Sequence, residues 1–520
     1  MSTPDRSQAL DHLVVVMFEN RSFDNLLGRL YEPGEVESFE GVIGKDLSNP
    51  IPDWAEHGAE HRSVAYGIAE NMDTPNPDPG EEYQHVNTQL FGGIDPQSNR
   101  GVLAENMTAP FNLPADPGTP TMDGFVADYI SAYTAETGAQ PTYDVYSQIM
   151  RGYTPEQMPV LSAIARGFAT FDHWFAEVPS QTFTNRSFFH AATASGLVVN
   201  APYKNFPFIN TGETIFERLE AHGQTWNVYV DPPAIAPFTG LIHGARLKHR
   251  FATNFVTTDQ FYADAANGNL PTYSFIEPNL LHSHNDMHPP INALMPGLEF
   301  DAPSSLLGGE ALLARIYEAI RSSSSESGSN WWNTLFMIVF DEHGGTYDHV
   351  PPPAATPPDP TVAGQYGFRF DRLGVRLPAI AVSPWIDEHT VVNDVHHHTS
   401  VIRTLRERWD LGDPLTQRDA DAPDLAPLLT RETPRPPAEW PDVHPQPVPE
   451  FDEALVPLDK PLSPLAKAVV GGGAALARNL DPTAPDIPNV DQLDGAHALA
   501  ALRATVGHLF PLLQAPSEES

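Results

Sequence analysis

Residues 335–345 read Leu-Phe-Met-Ile-Val-Phe-Asp-Glu-His-Gly-Gly, an apolar run that changes abruptly to polar residues. The first six residues have the length and composition of a buried β-strand. Two carboxylates, Asp341 and Glu342, therefore stand where this strand enters a loop. Desolvating them is costly unless a positive charge compensates them, and the carboxyl ends of strands are where open α/β sheets bind ligands. The stretch predicts a bound cation.

A second strand end repeats this arrangement. Residues His12–Phe18 are almost continuously apolar, as in a strand covered on both faces, and they lead directly into Glu19 and Asn20. Together with Asp341 and Glu342 these residues form an all-oxygen donor set. Such a set suits one hard divalent ion better than zinc in a thiolate or imidazole site. The alternative is that Asn20 only helps to cap the helix that follows.

Composition restricts the function classes. The chain has 520 residues, of which 41% are hydrophobic, and a formal net charge of −38 from 67 acidic and 29 basic residues. This charge argues against a nucleic-acid partner and against electrostatic attraction to anionic membranes. Cysteine is absent, which excludes disulfides and thiolate metal sites. The sequence itself indicates no oligomeric state.

The N-terminus carries no recognisable export signal, and no apolar stretch approaches the roughly 20 residues of a membrane span. We therefore expect no transmembrane segment and a cytoplasmic location. The alternative is a secreted protein whose leader has been removed.

The order of apolar and amphipathic segments predicts an α/β fold. Strands are expected at 12–18, 335–340 and 378–383, and helices at 187–195, 309–321 and 399–409. This alternation is typical of a mostly parallel sheet covered by helices on both faces.

Three regions are expected along the chain. Residues 1–430 form the catalytic domain, and within it residues 31–121 are rich in Pro, Gly, Asn and Asp, as in long loop excursions. Residues 431–463 are a proline-rich connector. Residues 464–520 are a helical C-terminal extension, with Asp491 as the cap of its second helix.

Several motifs in the same order resemble the phosphoesterase family that holds bacterial phospholipases C, plant non-specific phospholipases C and acid phosphatases. They are Glu-Asn-Arg-Ser-Phe-Asp at 19–24, Met-Asp-Gly-Phe at 122–125, the run at 171–186, Asn-Asp-Met-His-Pro at 285–289 and Asp-Glu-His-Gly-Gly at 341–345. The resemblance covers roughly residues 10–430. It implies an alkaline-phosphatase-like α/β/α sandwich and one divalent metal ion held by Glu19, Asn20, Asp341 and Glu342.

The resemblance also implies a nucleophile. Relatives carry Gly-Pro-Thr-x-Pro-Asn-Arg, and residues 180–186 read Ser-Gln-Thr-Phe-Thr-Asn-Arg. Thr182 falls on the nucleophile position, and Asn185 and Arg186 are retained as phosphate-binding residues. A helix N-terminus at this point would favour a phosphoryl anion. Because the flanking residues differ from the family pattern, Thr184 and Ser180 remain alternatives, and Thr182 could also be an ordinary helix cap.

Histidines complete the implied site. The family pattern points to His288, which could hold phosphate oxygens when charged or protonate the leaving alkoxide. It further implies phosphate contacts for Asn20, His85 and His249. In the His396–His398 run, only His398 matches the family, in a structural role behind the metal ligands, and the other two are expected to face solvent.

The sequence thus predicts a metal-dependent phosphoesterase, of phospholipase C or acid phosphatase type, that acts through a covalent phosphothreonine. The substrate is a phosphate ester, either a phospholipid or a small soluble ester. The alternative is a non-catalytic protein that binds phosphate esters or lipid headgroups on the same scaffold, in which the altered 180–184 turn reflects lost chemistry.

Overall fold

A computed structural model describes residues 6–58, 61–201, 205–232, 237–280, 284–290, 305–449, 464–484 and 493–513. Its main feature is an eight-stranded sheet. The strands are β1 His12–Phe18, β2 Ala169–Phe171, β3 Trp226–Val230, β4 Phe255–Thr257, β5 Tyr273–Glu277, β6 Thr334–Phe340, β7 Ala379–Val382 and β8 Thr390–Val392.

The strands follow the spatial order β8-β2-β7-β6-β1-β5-β3-β4. All pairs are parallel except those made by β7, which runs antiparallel to both β6 and β2. The residues of β6 are all buried, as are those of β1 after His12, so both faces of the sheet are covered. The predicted α/β class with a mostly parallel sheet is confirmed, and the strand predicted at 378–383 is the antiparallel exception.

The α-helices surround this sheet. They are α1 Phe23–Leu26, α2 Tyr83–Phe91, α3 Phe125–Thr137, α4 Tyr143–Tyr146, α5 Pro159–Gly167, α6 Thr182–Ala191, α7 Phe206–Ile209, α8 Ile215–Ala221, α9 Phe238–Ile242, α10 Gly244–Leu247, α11 Thr258–Asn267, α12 Ser305–Ser322, α13 Thr399–Arg408, α14 Gln417–Asp421, α15 Pro464–Leu480 and α16 Gly495–Leu509. The helices predicted at 309–321 and 399–409 correspond to α12 and α13. The helix predicted at 187–195 overlaps α6, which begins earlier, at Thr182, and ends at Ala191. Within the described ranges, none of the helices combines the length and apolar composition that a membrane crossing requires.

The 31–121 region is more ordered than a set of loops. It contains the antiparallel pair Ser48–Pro50 and Ser63–Ala65 as well as α2. Val64 and Val86 from this region join Phe125 and Ile130 of α3 in a hydrophobic cluster separate from the main core. Because polar and turn residues dominate its sequence, this second core was not predicted.

The predicted C-terminal helices are present as α15 and α16. Phe510, just after α16, packs on Phe251 and Phe255, with ring centroids 4.3 and 5.2 Å apart. Leu509 is buried and Leu512 is exposed. The predicted cap Asp491 and residues 450–463 of the connector lie outside the described residues, and the proposed domain boundaries stay a prediction.

Candidate active site

The two predicted strand ends meet at the carboxyl edge of the sheet. The register of β1 and β6 pairs Phe18 with Phe340, so Glu19 and Asp341 emerge side by side. The Asp341 amide donates to the Phe18 carbonyl at 3.1 Å, and the Asn20 amide donates to Asp341 Oδ1 at 3.4 Å. All these side chains are buried. The structure therefore brings together the residues that were predicted to hold a metal.

Two glycines permit this close approach. Gly344 has φ +56°, and a Cβ at that position would lie 2.4 Å from the Asn20 carbonyl oxygen. Gly345 has φ +65°, and its Cβ would lie 2.6 Å from the Gly80 carbonyl oxygen. L-residues rarely adopt such a conformation, and no side chain fits the space. The Gly-Gly pair thus lets the β6 loop pack against both the β1 end and the loop before α2.

Two oxygen atoms in this cluster are available to bind a cation. Asn20 Oδ1 and Glu342 Oε1 are buried, and neither has a hydrogen-bond partner among the described residues. Glu342 Oε2, by contrast, accepts from the Gly344 amide at 2.7 Å. Buried polar atoms are rarely left unsatisfied. Both orphan atoms are hard oxygen donors of the kind that divalent cations bind, so the residues present fit the predicted metal.

The charges in the cluster support the same interpretation. Burial, and next the neighbouring Asp341 carboxylate, raise the pKa of Glu19 and of Glu342 well above the ordinary value. Arg186 is the counter-charge that the structure supplies. Its Nη2 donates to Glu19 Oε1 at 2.9 Å and its Nε to Asp341 Oδ2 at 3.1 Å. One guanidinium opposes three carboxylates, which leaves excess negative charge for a cation to balance.

In a different acidic group the carboxylates are already paired with positively charged or hydrogen-bonding side chains. Asp24, Asp348 and His349 also place ligand-type atoms together. Here, however, Arg376 Nη2 donates to Asp24 at 2.8 Å, and its Nε donates to Asp348 at 3.2 Å. His349 Nδ1 lies 2.6 Å from Asp24. An internal arginine and histidine fill this site, so nothing in it calls for an ion.

The predicted nucleophile lies at the start of α6. Thr182 is the first residue of that helix, and Gln181 precedes it as the N-cap residue. Arg186, one turn later, connects this helix to the carboxylates of Glu19 and Asp341. Its Nη1 is buried and has no hydrogen-bond partner among the described residues. The hydroxyls of Ser180 and Thr184 are likewise buried and unpartnered within that part of the chain. The start of α6 therefore combines a helix N-terminus with an uncommitted cationic donor, as an anion site requires.

The side chain of Asn185 makes its hydrogen bonds within the turn before α6. Its Oδ1 accepts from the Val178 amide at 3.0 Å, and its Nδ2 lies 2.7 Å from the Ser180 carbonyl and 3.1 Å from the Gln181 carbonyl. These bonds use the side-chain amide to shape the turn before α6. The phosphate contact of Asn185 stays a prediction.

Glu81 lies in the same cluster, although it was not among the residues predicted from the sequence. Its Oε2 accepts from Asn20 Nδ2 at 2.6 Å, and its Oε1 lies 3.5 Å from Gln181 Nε2. Burial, and next the Glu342 carboxylate, raise the pKa of Glu81 well above the ordinary value. The residue stands in the Glu-Glu-Tyr-Gln-His run at 81–85, from which the family pattern selected His85 instead. The run itself was the available signal.

His85 lies behind the cluster rather than in it. Its Nδ1 is 2.8 Å from Asp128 Oδ1, and Asp128 Oδ2 accepts from Gln89 Nε2 at 2.8 Å. Gln89 Oε1 in turn accepts from His343 Nε2 at 2.7 Å, and His343 Nδ1 lies 3.3 Å from Glu342. Hydrogen bonds thus connect His85 through Asp128 and Gln89 to His343, whose other ring nitrogen lies next to Glu342. The phosphate contact of His85 stays a prediction. Asp128 and Gln89 were not predicted from the sequence.

The contact between His85 and Asp128 gives a prediction about pH dependence. Burial opposes a charged ring, but the Asp128 carboxylate outweighs it and raises the pKa of His85 to about 9. In the unfolded chain the pKa of a histidine is about 6.5. The contribution of the pair to the free energy of unfolding is therefore fully present below pH ~6.5 and is lost as the pH rises through ~9. We expect the NMR titration of this ring to have a midpoint near 9, and Asp128→Asn to move it below ~6.5.

The matched control is Asp123→Asn, because the Asp123 carboxylate bonds Thr121 instead. The His85 midpoint should stay unchanged in this variant. A wild-type midpoint at or below ~6.5 would contradict the assignment of His85 as a charged partner of Asp128.

His288 sits in a firmly held loop after β5. Arg21 Nε donates to the Met287 carbonyl at 2.7 Å, and Asp286 Oδ1 accepts from the His288 amide at 3.0 Å and lies 2.8 Å from His284 Nδ1. His288 Nδ1 lies 2.7 Å from the Pro289 carbonyl, so this nitrogen carries a proton. Burial lowers the pKa of His288 to about 4. Burial thus favours the neutral ring, and the roles of His288 as a general acid or a charged phosphate ligand stay predictions.

Two other histidine predictions have different outcomes. The structure does not bring His249 into the cluster: half of its side chain is exposed, and Nε2 lies 3.4 Å from Glu220. The expectation that His396 and His397 face solvent is wrong, because they form a short strand and are buried. His397 Nδ1 contacts Glu177 at 2.6 Å.

His398 lies directly behind Asp341, one of the predicted metal ligands. Its Nδ1 accepts from the Trp174 indole at 3.2 Å, so its Nε2 donates to the Asp341 carbonyl at 2.7 Å. The structural role predicted for His398 agrees with these contacts. His282, which had no assigned role, lies outside the described residues.

Comparisons with known proteins agree with the geometry. The model of the phosphoesterase family matches residues 10–412. Non-specific phospholipase C3 of Arabidopsis thaliana is 32% identical over 446 residues, which cover 81% of this chain and 74% of that protein. Phospholipase C B of Mycobacterium tuberculosis is 25% identical over 464 residues, which cover 81% of this chain and 78% of that protein.

Solved structures show a more distant likeness. The phosphonate monoester hydrolase from Silicibacter pomeroyi has a TM-score of 0.29 and 13% identity, and the match covers 53% of this chain and 72% of that chain.

Proposed function

The chain belongs to the phosphoesterase family and is a hydrolase acting on phosphoester bonds, and on this premise we propose that Thr182 is its covalent nucleophile. We further propose that Glu19, Asn20, Asp341 and Glu342 hold one divalent cation. The buried Arg186 carries this proposal, because it joins the helix of Thr182 to the carboxylates and keeps one donor uncommitted.

In the proposed reaction, different residues bind the phosphoryl group and attack phosphorus. Arg186 Nη1 and the N-terminus of α6 would bind the phosphoryl oxygens and orient phosphorus toward the Thr182 hydroxyl. Thr182 Oγ then forms a bond to phosphorus while the bond from phosphorus to the ester oxygen breaks, and the alcohol leaves with a proton. Water hydrolyses the phosphothreonine and restores the hydroxyl. When bound, the cation supplies charge stabilisation and makes the hydroxyl a better nucleophile.

The substrate class follows from the named relatives. Both curated relatives carry the name of a phospholipase C, so we propose a phosphodiester substrate of the phospholipid type. A phosphothreonine intermediate would then carry the headgroup, and diacylglycerol would be the first product. The acid-phosphatase type of activity, on soluble monoesters, is the second candidate.

One assay separates these functions. The full chain is incubated with p-nitrophenyl phosphate, with p-nitrophenylphosphorylcholine and with phosphatidylcholine vesicles, each with and without a chelator. We expect turnover of the two diesters, its loss with the chelator, and its return when a divalent metal is added back. Turnover of the monoester alone would indicate a phosphatase. Binding without turnover of any substrate would indicate the non-catalytic alternative.

His288 gives a prediction about the leaving group. Because its ring is neutral at neutral pH, we expect His288→Ala to lower kcat/KM by similar factors for nitrophenyl esters and for alkyl esters, whose leaving groups are more basic. A general acid would affect the alkyl esters by an additional ~10²–10⁴-fold. The measurement is kcat/KM for one ester of each type, with His222→Ala, an exposed residue that bonds the Arg218 carbonyl, as the matched control. A gap of that size would restore the acid role.

A further inference from the structure

The guanidinium of Arg186 lies over the face of a buried aromatic ring. Its Cζ is 5.6 Å from the centroid of the Phe238 ring, and Phe238 is only 1% exposed. At such a distance an aromatic face attracts a cation, and the attraction is stronger where water is excluded. Phe238 is therefore a third contact of Arg186, in addition to the carboxylates of Glu19 and Asp341.

The aromatic contact differs from the two ion pairs in the hydrogen bonds that it uses. Asp341 and Glu19 each take an N–H donor of Arg186, from Nε and Nη2 respectively. An aromatic ring attracts the guanidinium charge as a whole and does not take a donor as a carboxylate does. Nη1 keeps its donors, since it has no hydrogen-bond partner among the described residues. Phe238 thus stabilises the cation without reducing its capacity to bind an anion.

The same ring packs against the first turn of α6. The ring centroids of Phe183 and Phe238 are 5.5 Å apart, with the two planes at 75°, which is the edge-to-face arrangement that aromatic pairs favour. Phe183 directly follows Thr182, and Arg186 comes three residues after Phe183. Residues three apart lie on the same side of a helix. One ring of α9 therefore contacts both the arginine and the neighbour of the proposed nucleophile.

A carboxylate of the central sheet fixes the position of this ring. Glu277, the last residue of β5, accepts from the Phe238 amide at 2.8 Å through Oε2 and from the Thr239 amide at 2.7 Å through Oε1. Both amides belong to the first turn of α9, where amides have no partner within the helix. Burial raises the pKa of Glu277, and the Arg186 guanidinium opposes that rise. The start of α9 is therefore attached to the carboxyl edge of the sheet, where the candidate site lies.

We propose that Phe238 is a positioning residue for Arg186 and that Glu277 acts through it. The Phe238 ring holds the guanidinium in the orientation in which Nη1 meets the phosphoryl oxygens, and Glu277 fixes the backbone that carries the ring. The inference rests on the proposed function, because it assigns a support to the arginine that binds phosphate there. It predicts that the electron density of the ring, in addition to its volume, contributes to phosphate binding.

Inorganic phosphate is the probe for this proposal, and its Kd is measured by calorimetry on the full chain in the presence of Mn²⁺. We expect Phe238→Leu to raise this Kd by about 5–30-fold, the range of a desolvated cation–π contact. Trifluorophenylalanine incorporated at position 238 keeps the shape of the ring but withdraws its electron density. It should therefore raise the Kd in the same direction by a smaller factor. Circular dichroism verifies that each protein is folded.

Two further variants serve as controls. Phe261→Leu removes a similarly buried ring that packs against Tyr229, with centroids 5.3 Å apart, and it should leave the Kd unchanged. Glu277→Gln should raise the Kd. The double variant Glu277→Gln with Phe238→Leu should raise it no further than Phe238→Leu alone, because Glu277 acts through the ring. Additive losses in the double variant would overturn the role assigned to Glu277.

The variant Arg186→Gln separates this proposal from the proposed function. If it weakens phosphate binding while neither change at position 238 does so, the proposed phosphate site stands and the role of Phe238 is overturned. A rise of the Kd in Phe238→Leu without any effect of the fluorine atoms would also overturn that role, because the ring would then act only by filling space.

The proposed phosphate site fails if the wild-type chain does not bind phosphate, or if Arg186→Gln binds it equally well. The role of Phe238 is then decided by ¹⁵N NMR of the Arg186 side chain. Separate Nη1 and Nη2 signals in the wild type that merge in Phe238→Leu would show that the ring positions the guanidinium. Identical spectra of the two proteins would overturn the proposal.

Discussion

Thr182→Ala is expected to lower turnover by at least about 10⁴-fold, the scale on which hydrolases lose activity when the covalent acceptor is removed. The fold should survive, because the turn before α6 is held by the side chain of Asn185 and the Phe183 amide by Asn200. Alanine is also a better helix former than threonine. The measurement is kcat on p-nitrophenylphosphorylcholine, with circular dichroism to verify folding.

Two neighbouring hydroxyls make this experiment discriminating. Thr184→Ala and Ser180→Ala are matched controls, since both hydroxyls are buried and unpartnered within the described chain. They should retain most of the turnover, and Thr182→Ser should retain part of it because a hydroxyl remains. Acid quenching followed by mass spectrometry should find the phosphoryl adduct on Thr182 alone. An adduct on either control residue, with near-normal activity of Thr182→Ala, would reassign the nucleophile.

Asp341→Asn and Glu19→Gln are expected to lower metal occupancy and turnover together, each by about 100-fold or more. Each change removes one negative charge from a buried all-oxygen donor set while nearly preserving its shape, so the cation loses both a ligand and its counter-charge. Changes to residues that merely support metal ligands typically cost about 10–100-fold in affinity or activity. The measurement combines elemental analysis of the purified chain with kcat at saturating metal.

The matched control for these variants is Glu310→Gln. Glu310 is also a buried carboxylate, but its oxygens accept from the Val160 and Leu161 amides at the start of α5. This variant should keep its metal and its turnover. Active wild-type protein without stoichiometric metal would contradict the cation assignment for both strand ends.

Much of the site was predictable from local patterns. The apolar runs before Glu19 and Asp341 identify two buried strands, and parallel strands necessarily place their carboxyl ends at the same edge of the sheet. The helix predicted at 187–195 overlaps α6, although α6 begins earlier, at Thr182. These predictions need only the strand or helix period and the direction of the chain.

The remaining parts depend on tertiary paths that no local pattern encodes. Glu81 reaches Asn20 only because Gly345 lets the β6 loop lie against Gly80. Asp128 pairs with His85 only because α3 packs on α2. Similarly, three consecutive histidines gave no indication that two of them pair with a distant short strand. The polarity of a residue therefore did not predict its burial where a distant segment supplied its hydrogen-bond partner.

The joining of β1 and β6 at the cluster has a thermodynamic consequence. Asn20 and Asp341 are 321 positions apart in the chain, so the complete ligand set exists only when the central sheet has formed. By mass action, a ligand that binds the native state alone stabilises the chain by about 1.4 kcal/mol for each tenfold excess over its Kd. If the proposed cation binds there, metal concentration and the free energy of unfolding are linked, and the melting temperature rises with the metal concentration.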